Sequence, residues 1–358
     1  MKNIGVGVIA ILGLFVLVLY LVSAAQWDPL NGEISRIDRF IQRNEFNGVT
    51  LDTRPLTPYS ENIRLSVVPQ LLGYYELYKK DSNPRYYQDI VDRADFLVLH
   101  FDELFRGDAF DGMTGYALLA AFELTNNETY FLKGEDIVEL CAGLDDQQIA
   151  LNWGLMCGMA ISKYIEVYGD PNYIYLLRRI IDYQAQFQHP DGSFPHYCPG
   201  STDIHYTAWM SMELIKIKEG FPYKRIDEYL NNTYNFLKVR VNDTGEPEYQ
   251  VNLCQSSEGP ECIGYYYSRA SGCPQDYDTR GWVNELGYEL LAFDYFHDRE
   301  YYKVASFLTR LSRNGAYKDK WAYPQPLEDP AYLWSIGDPS VPRTSLIFWA
   351  LASIYADR

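Results

Sequence analysis

The sequence predicts an all-α (α/α)6 toroid, six helical hairpins closed into two concentric rings, after an N-terminal transmembrane helix. Three observations predict it. Apolar residues recur at helical spacing in alternating blocks from residue 33 to the C-terminus. The blocks are of two kinds, one rich in small residues and poor in charge, the other amphipathic. Each kind occurs six times, which is the count that closes a ring.

The small-residue blocks read as buried helices. Gly115-Tyr-Ala-Leu-Leu-Ala-Ala, Asn152-Trp-Gly-Leu-Met-Cys-Gly-Met-Ala and Gly281-Trp-Val-Asn-Glu-Leu-Gly carry few charges, and their small side chains let backbones approach closely. The amphipathic blocks, such as Arg85-Tyr-Tyr-Gln-Asp-Ile-Val-Asp-Arg and Asn172-Tyr-Ile-Tyr-Leu-Leu-Arg-Arg, read as outer helices with one apolar face. In chain order the inner–outer pairs are 65–79 with 84–105, 111–124 with 129–142, 147–168 with 171–188, 203–218 with 223–239, and 280–296 with 299–313. The last inner helix, 342–356, has no partner after it, so the early helix at 33–44 is expected to close the ring against it. Turns such as Gly169-Asp-Pro and Lys80-Asp-Ser-Asn-Pro join inner to outer, with Pro placed for the first turn of the next helix. Residues 246–267 read as a short hairpin. An open solenoid of helix pairs is the alternative, since a repeat pattern does not fix closure.

The N-terminus sets the expected compartment. Ile4–Ala25 is uncharged and almost wholly apolar, with Lys2 before it and Asp28 as the first charge after it. That length suits a bilayer span with the N-terminus inside and the rest outside. Ser23-Ala24-Ala25 leaves a cleaved signal peptide as the alternative. The expected division is therefore residues 1–26 as anchor or signal and 27–358 as one extracytoplasmic domain. All six cysteines lie beyond the anchor and read as disulfides, Cys254 with Cys262 and Cys198 with Cys273. Sequons at Asn127, Asn231 and Asn242 agree with export.

Charge narrows the partners. Lys and Arg total 31 against 48 Asp and Glu, a net charge of −17. So acidic a chain lacks the basic stripe that nucleic acid requires. The 32 tyrosines supply rings with polar tips, suited to a pocket rim or to packing between helices.

One stretch carries a family resemblance. Gln188-His-Pro-Asp191-Gly192-Ser-Phe194-Pro, followed by Ser201-Thr-Asp203-Ile-His-Tyr-Thr207-Ala-Trp209, resembles the repeat of terpenoid cyclase and protein prenyltransferase toroids. The hairpin arrangement is similar to that of six-hairpin glycosidases, polysaccharide lyases and sugar epimerases. The resemblance implies a toroid. The cyclases' acidic motifs are absent, since neither Asp-x-Asp-Asp nor Asp-Asp-x-x-Asp occurs.

In a toroid the loops entering the inner helices gather at one end, and polar residues converge there. The candidate catalytic residues at these entries are Asp203, His205, Tyr206, Asp278, Arg280 and Glu285. The candidate substrate-binding residues are Asp111, Asn152, Trp153, His196, Trp282, Trp334, Asp338 and Arg343. Acids serve proton transfer and aromatic faces stack on sugar rings. Asp111, Asp203 and Asp278 also suit helix N-caps, whereas Glu285 lies inside a buried-type helix and needs a partner there, Arg280 or Arg343. His189, His196, Cys198, Asp203 and His205 fall close together, but their spacing is irregular, and neither metal nor cofactor is expected. The expected function is an exported, membrane-anchored, glycan-active enzyme of lyase, hydrolase or epimerase type. A lyase would use His205 or Tyr206 with Arg280; a hydrolase would use two carboxylates. A cyclase-like enzyme on a lipid substrate and a non-catalytic glycan- or protein-binding toroid are the alternatives.

Overall fold

The computed structural model describes residues 30–45, 59–146, 148–149, 152–195, 204–246, 283–312, 314–317 and 340–358. Thirteen helices occupy these residues. The outer helices are α1 (Asn31–Arg43), α3 (Pro84–Leu99), α6 (Glu128–Gly143), α8 (Asn172–Ala185), α10 (Lys224–Lys238) and α12 (Glu300–Leu311). The inner helices are α2 (Tyr59–Asp81), α5 (Asp111–Thr125), α7 (Asn152–Tyr168), α9 (Ile204–Gly220), α11 (Val283–Tyr295) and α13 (Val341–Asp357). A single-turn helix, α4 (Phe101–Leu104), precedes α5.

The ring is closed. Each inner helix packs on the next, α2 on α5, α5 on α7, α7 on α9, α9 on α11 and α11 on α13, and α13 returns to α2. Each inner helix also packs on the outer helix that follows it, and α13 packs on α1. The first helix therefore completes the last hairpin, as the count predicts, and the open solenoid is excluded. The small-residue blocks do what their composition implies. A Cβ on Gly112 would lie 2.4 Å from the Met156 carbonyl carbon, so α5 and α7 approach at backbone distance.

Several boundaries differ from the sequence reading. The block 84–105 is two helices, because His100 leaves the helical region (φ −105°, ψ 20°). The helix expected from residue 147 begins at Asn152. Before it, the Gln148 N–H donates to Asp145 Oδ1 (2.9 Å) and the Asp145 N–H to Gln148 Oε1 (3.0 Å), holding a turn. Asn83 caps α3 by accepting from the Arg85 N–H at 3.0 Å, with Pro84 in the first turn, as the Asn-Pro pair predicts.

The two ends of the toroid differ. At the lower end, the C-terminal ends of the inner helices, turns such as 82–83 and 126–127 are short. This end is tied by buried ion pairs. Lys216 Nζ donates to Glu76 (2.7 Å) and Glu219 (2.8 Å). Lys163 Nζ donates to Tyr75 Oη and Glu166, both at 2.9 Å, and pairs with Glu123. Against the cost of burial, Lys216 and the nearby Lys79 and Lys163 hold the Glu76 carboxyl below its usual range. At the upper end the connections are long.

The predicted anchor 4–25, the hairpin 246–267 beyond Glu246, and Cys198, Cys254, Cys262 and Cys273 lie outside the described residues. No helix among the described residues is long and apolar enough to cross a membrane. A disulfide that the sequence reading did not pair joins Cys141 of α6 to Cys157 of α7, with Cα atoms 5.5 Å apart.

Candidate functional site

The stretch that carries the cyclase-like resemblance is a brace. Gln188 Nε2 donates to the Gly192 carbonyl (3.2 Å), the Tyr229 carbonyl (3.1 Å) and Thr233 Oγ1 (3.0 Å), tying the end of one hairpin to the next outer helix. Gly192 has φ +92°, and a Cβ there would meet the Asn232 carbonyl oxygen at 2.1 Å. The Phe194 N–H donates to Thr207 Oγ1 of α9 at 2.9 Å. The device recurs without its sequence signature. Gly315 (φ +86°) abuts the Arg36 carbonyl of α1, and Gly245 (φ +83°) abuts Lys303 of α12, each with 2.1 Å from Cβ to oxygen. The brace sets where α9 begins, and so places His205 and Tyr206.

His205 is 5% and Trp209 6% exposed. One turn apart on α9, they face the same side, their ring centroids 5.5 Å apart. Tyr206 is half-buried beside them, 5.6 Å from His205 and 6.2 Å from Trp209. Tyr288 of α11 completes the cluster, 5.6 Å from Trp209 and 6.2 Å from His205. The same two helices carry three fully buried carboxyls, Glu213, Glu285 and Glu289. Burial pushes Glu213 well above the usual carboxylate range, and the Trp209 indole N–H, beside it, pulls weakly the other way. Burial pushes Glu289 up to about 8. Glu289 therefore holds a proton near neutrality, and burial shifts Glu213 in the same direction.

The other candidates are placed as follows. Asp111 is committed to structure. It pairs with Arg64 through Oδ1, and Oδ2 accepts from the main-chain N–H groups of Arg106 (3.0 Å), Gly107 (2.8 Å) and Asp108 (3.3 Å). Burial raises its pKa despite Arg64 and those donors. Asn152 is buried and Trp153 half-buried at the start of α7, and Arg343 is half-buried in the first turn of α13. Ser340 caps α13 by accepting from the Arg343 N–H. Asp203, Asp278, Arg280, Trp282, His196, Trp334 and Asp338 lie outside the described residues. Among the described residues no group of His, Cys, Asp and Glu is arranged to hold a metal, and His189 contacts Ser193 Oγ at 2.9 Å in the brace turn.

Trp209, Glu213, Tyr288 and Glu289 are the members that sequence reasoning did not single out as site residues. For the two acids the signal was present, a carboxyl inside a buried-type helix, the same argument that singled out Glu285.

The sequence matches no protein-family model and no curated protein. Solved structures do match. Cellobiose 2-epimerase from Bacillus thermoamylovorans superposes with TM-score 0.60 at 10% identity, over 89% of this chain and 98% of that one. A glycosyl hydrolase family 88 protein from Bacteroides vulgatus gives 0.61 at 11%, over 91% and 98%. The fold is the (α/α)6 toroid that these structures share. An unsaturated glucuronyl hydrolase from Streptococcus agalactiae agrees, with 0.59 at 10% over 92% of each chain. At these identities the likeness is one of fold.

Proposed function

We propose that this toroid is an exported, membrane-anchored enzyme that acts on a glycan by acid–base chemistry at the upper ends of α9 and α11. One observation carries the reading. The cluster of His205, Tyr206, Trp209 and Tyr288 stands on the same two helices as the buried carboxyls of Glu213, Glu285 and Glu289. Aromatic faces bind sugar rings, and carboxyls of raised pKa donate protons near neutrality. In this reading His205 or Tyr206 takes a proton with Arg280 beside the substrate, and Asp203, Asp278 and Glu285 supply carboxylates. Asn152, Trp153, His196, Trp282, Trp334, Asp338 and Arg343 contribute subsites. Asp111 contributes indirectly, through the loop it holds. The glycan-active neighbours support the substrate class, and the Cys141–Cys157 disulfide supports an oxidising compartment.

The test is activity of the full chain on a panel of polysaccharides, read as reducing ends together with ultraviolet absorbance of unsaturated uronates. Both signals rising assigns a lyase, and reducing ends alone assign a hydrolase. Isomer analysis of the products detects an epimerase. Replacing His205 by Ala, or Tyr206 by Phe, is expected to lower kcat by about 100-fold or more with the melting temperature retained. Activity untouched by both substitutions overturns this site.

A second reading has its own support. A buried acid whose pKa is raised by burial, one turn from an aromatic ring as Glu213 is from Trp209, suits proton-initiated cyclisation of an isoprenoid. Mass analysis of polyprenyl substrates incubated with the chain separates it from the first.

A further inference from the structure

The buried charges of the described interior are unevenly matched. Each buried cation has an acid. Arg64 pairs with Asp111, Arg93 with Glu45 (3.1 Å), Lys163 with Glu166, and Lys216 with Glu76. Two buried acids have no cation. Both oxygens of Glu213 and both of Glu289 lack a well-formed hydrogen bond, although each residue is wholly buried. Buried polar groups are nearly always satisfied, and an orphaned one points to a missing partner. Glu213 continues the helical stripe His205, Trp209, Glu213, with the Trp209 N–H beside its carboxyl. Trp209 in turn packs against Tyr288 and His205. A buried carboxyl without a cation, on the same helix face as an aromatic cluster, is complementary to a positive group, through charge pairing and cation–π attraction.

We propose that this site selects an amino sugar, a glycan residue bearing a free ammonium group, with Glu213 as the anionic partner and Trp209 and Tyr288 as the cation–π walls. The proposal rests on the glycan-active reading and names its substrate class. On binding, the ammonium gives the Glu213 carboxylate the counter-charge that the protein withholds, so the acid loses its proton to solvent as the ion pair forms.

The test is titration calorimetry of the full chain in detergent with three oligosaccharides of equal length, of glucosamine, of N-acetylglucosamine and of galacturonate. Each is measured at moderate and high salt, so that diffuse attraction to the acidic surface is screened out. The glucosamine oligomer is expected to bind at least tenfold tighter than the other two at both salt concentrations. Glu213→Gln is expected to erase that preference, and Tyr288→Leu, which removes a ring and keeps the carboxyl, to reduce it. A preference for the acetylated or uronate oligomer overturns the proposal and leaves the glycan-active reading standing. So does a preference untouched by both substitutions. Binding of none of the three overturns both.

Discussion

The main-chain N–H of Tyr317 donates to Thr344 Oγ1 at 3.1 Å, two residues after Gly315 has turned the chain against α1. Phe194 and Thr207 stand in the same relation after Gly192. Two hairpins thus share one fastening, though only one of them shows a recognisable sequence motif. The glycine fixes the turn on the neighbouring outer helix, and the hydroxyl fixes the chain to the inner helix it is about to enter.

Replacing Gly192 by Ala tests the fastening. The new Cβ would stand 2.1 Å from the Asn232 carbonyl oxygen, in a left-handed conformation. A loss of about 2–4 kcal/mol in chemical denaturation is expected. Gly107 is the control, since it also has positive φ (+72°) but nothing lies within 4 Å. Gly107→Ala should cost about 1 kcal/mol, the backbone contribution alone. Equal losses at the two positions would refute the brace.

The Arg64–Asp111 pair makes a second prediction. Asp111→Ala removes the carboxylate that pairs with the buried Arg64 guanidinium and accepts from three loop N–H groups, so a loss of about 3–5 kcal/mol is expected. Asp111→Asn, which keeps an acceptor, should lose less. If Asp111 instead acts on substrate, both variants would melt normally and fail only in activity.

Glu289 predicts a pH dependence. Its carboxyl titrates near 8 in the folded chain, against about 4.3 when unfolded. Between those values the folded state binds the extra proton, so its contribution to stability falls as pH rises and levels off above pH 8. Glu289→Gln removes the titration. The variant should match the parent near pH 4 and exceed it by on the order of a few kcal/mol at pH 8. Melting curves across that range check it; a constant difference would show that Glu289 does not titrate there.

The Cys141–Cys157 bond joins two successive hairpins, with a sequence separation of 16. Replacing both cysteines by Ala is expected to cost about 3 kcal/mol. Guanidinium titrations of the parent and the double variant measure the loss.

How much of this was legible follows from where the physics is local. Alternation of small-residue and amphipathic helices is a local property, and it yields the rings and the closing role of α1. The Asn83 cap is local too. The disulfide is not. Cys141 and Cys157 sit on helices, and only the packing of α6 on α7 brings them together, whereas loop cysteines attract attention in sequence. Asp111 reads equally as a cap or a ligand until Arg64, 47 residues away, is seen against it. Glu213 escaped notice because its neighbours Met212 and Leu214 make it look like one polar interruption in an apolar run. The brace at Gly315 has no Gln or Asp to mark it, because Tyr317 bonds Glu33 instead (2.7 Å).

That last contact spans 284 residues and carries a consequence for biosynthesis. Helix α1 is made before the other described helices, yet the helix it packs on, α13, and the Gly315 turn that abuts it come last. At about 5–20 residues per second the wait is roughly 15–60 s. Throughout it an amphipathic helix lacks the α13 side of its docking site, so a nascent chain halted before residue 317 should be the form that chaperones hold and proteases cut. Completion of the last hairpin is then the event that commits the whole chain to its native state.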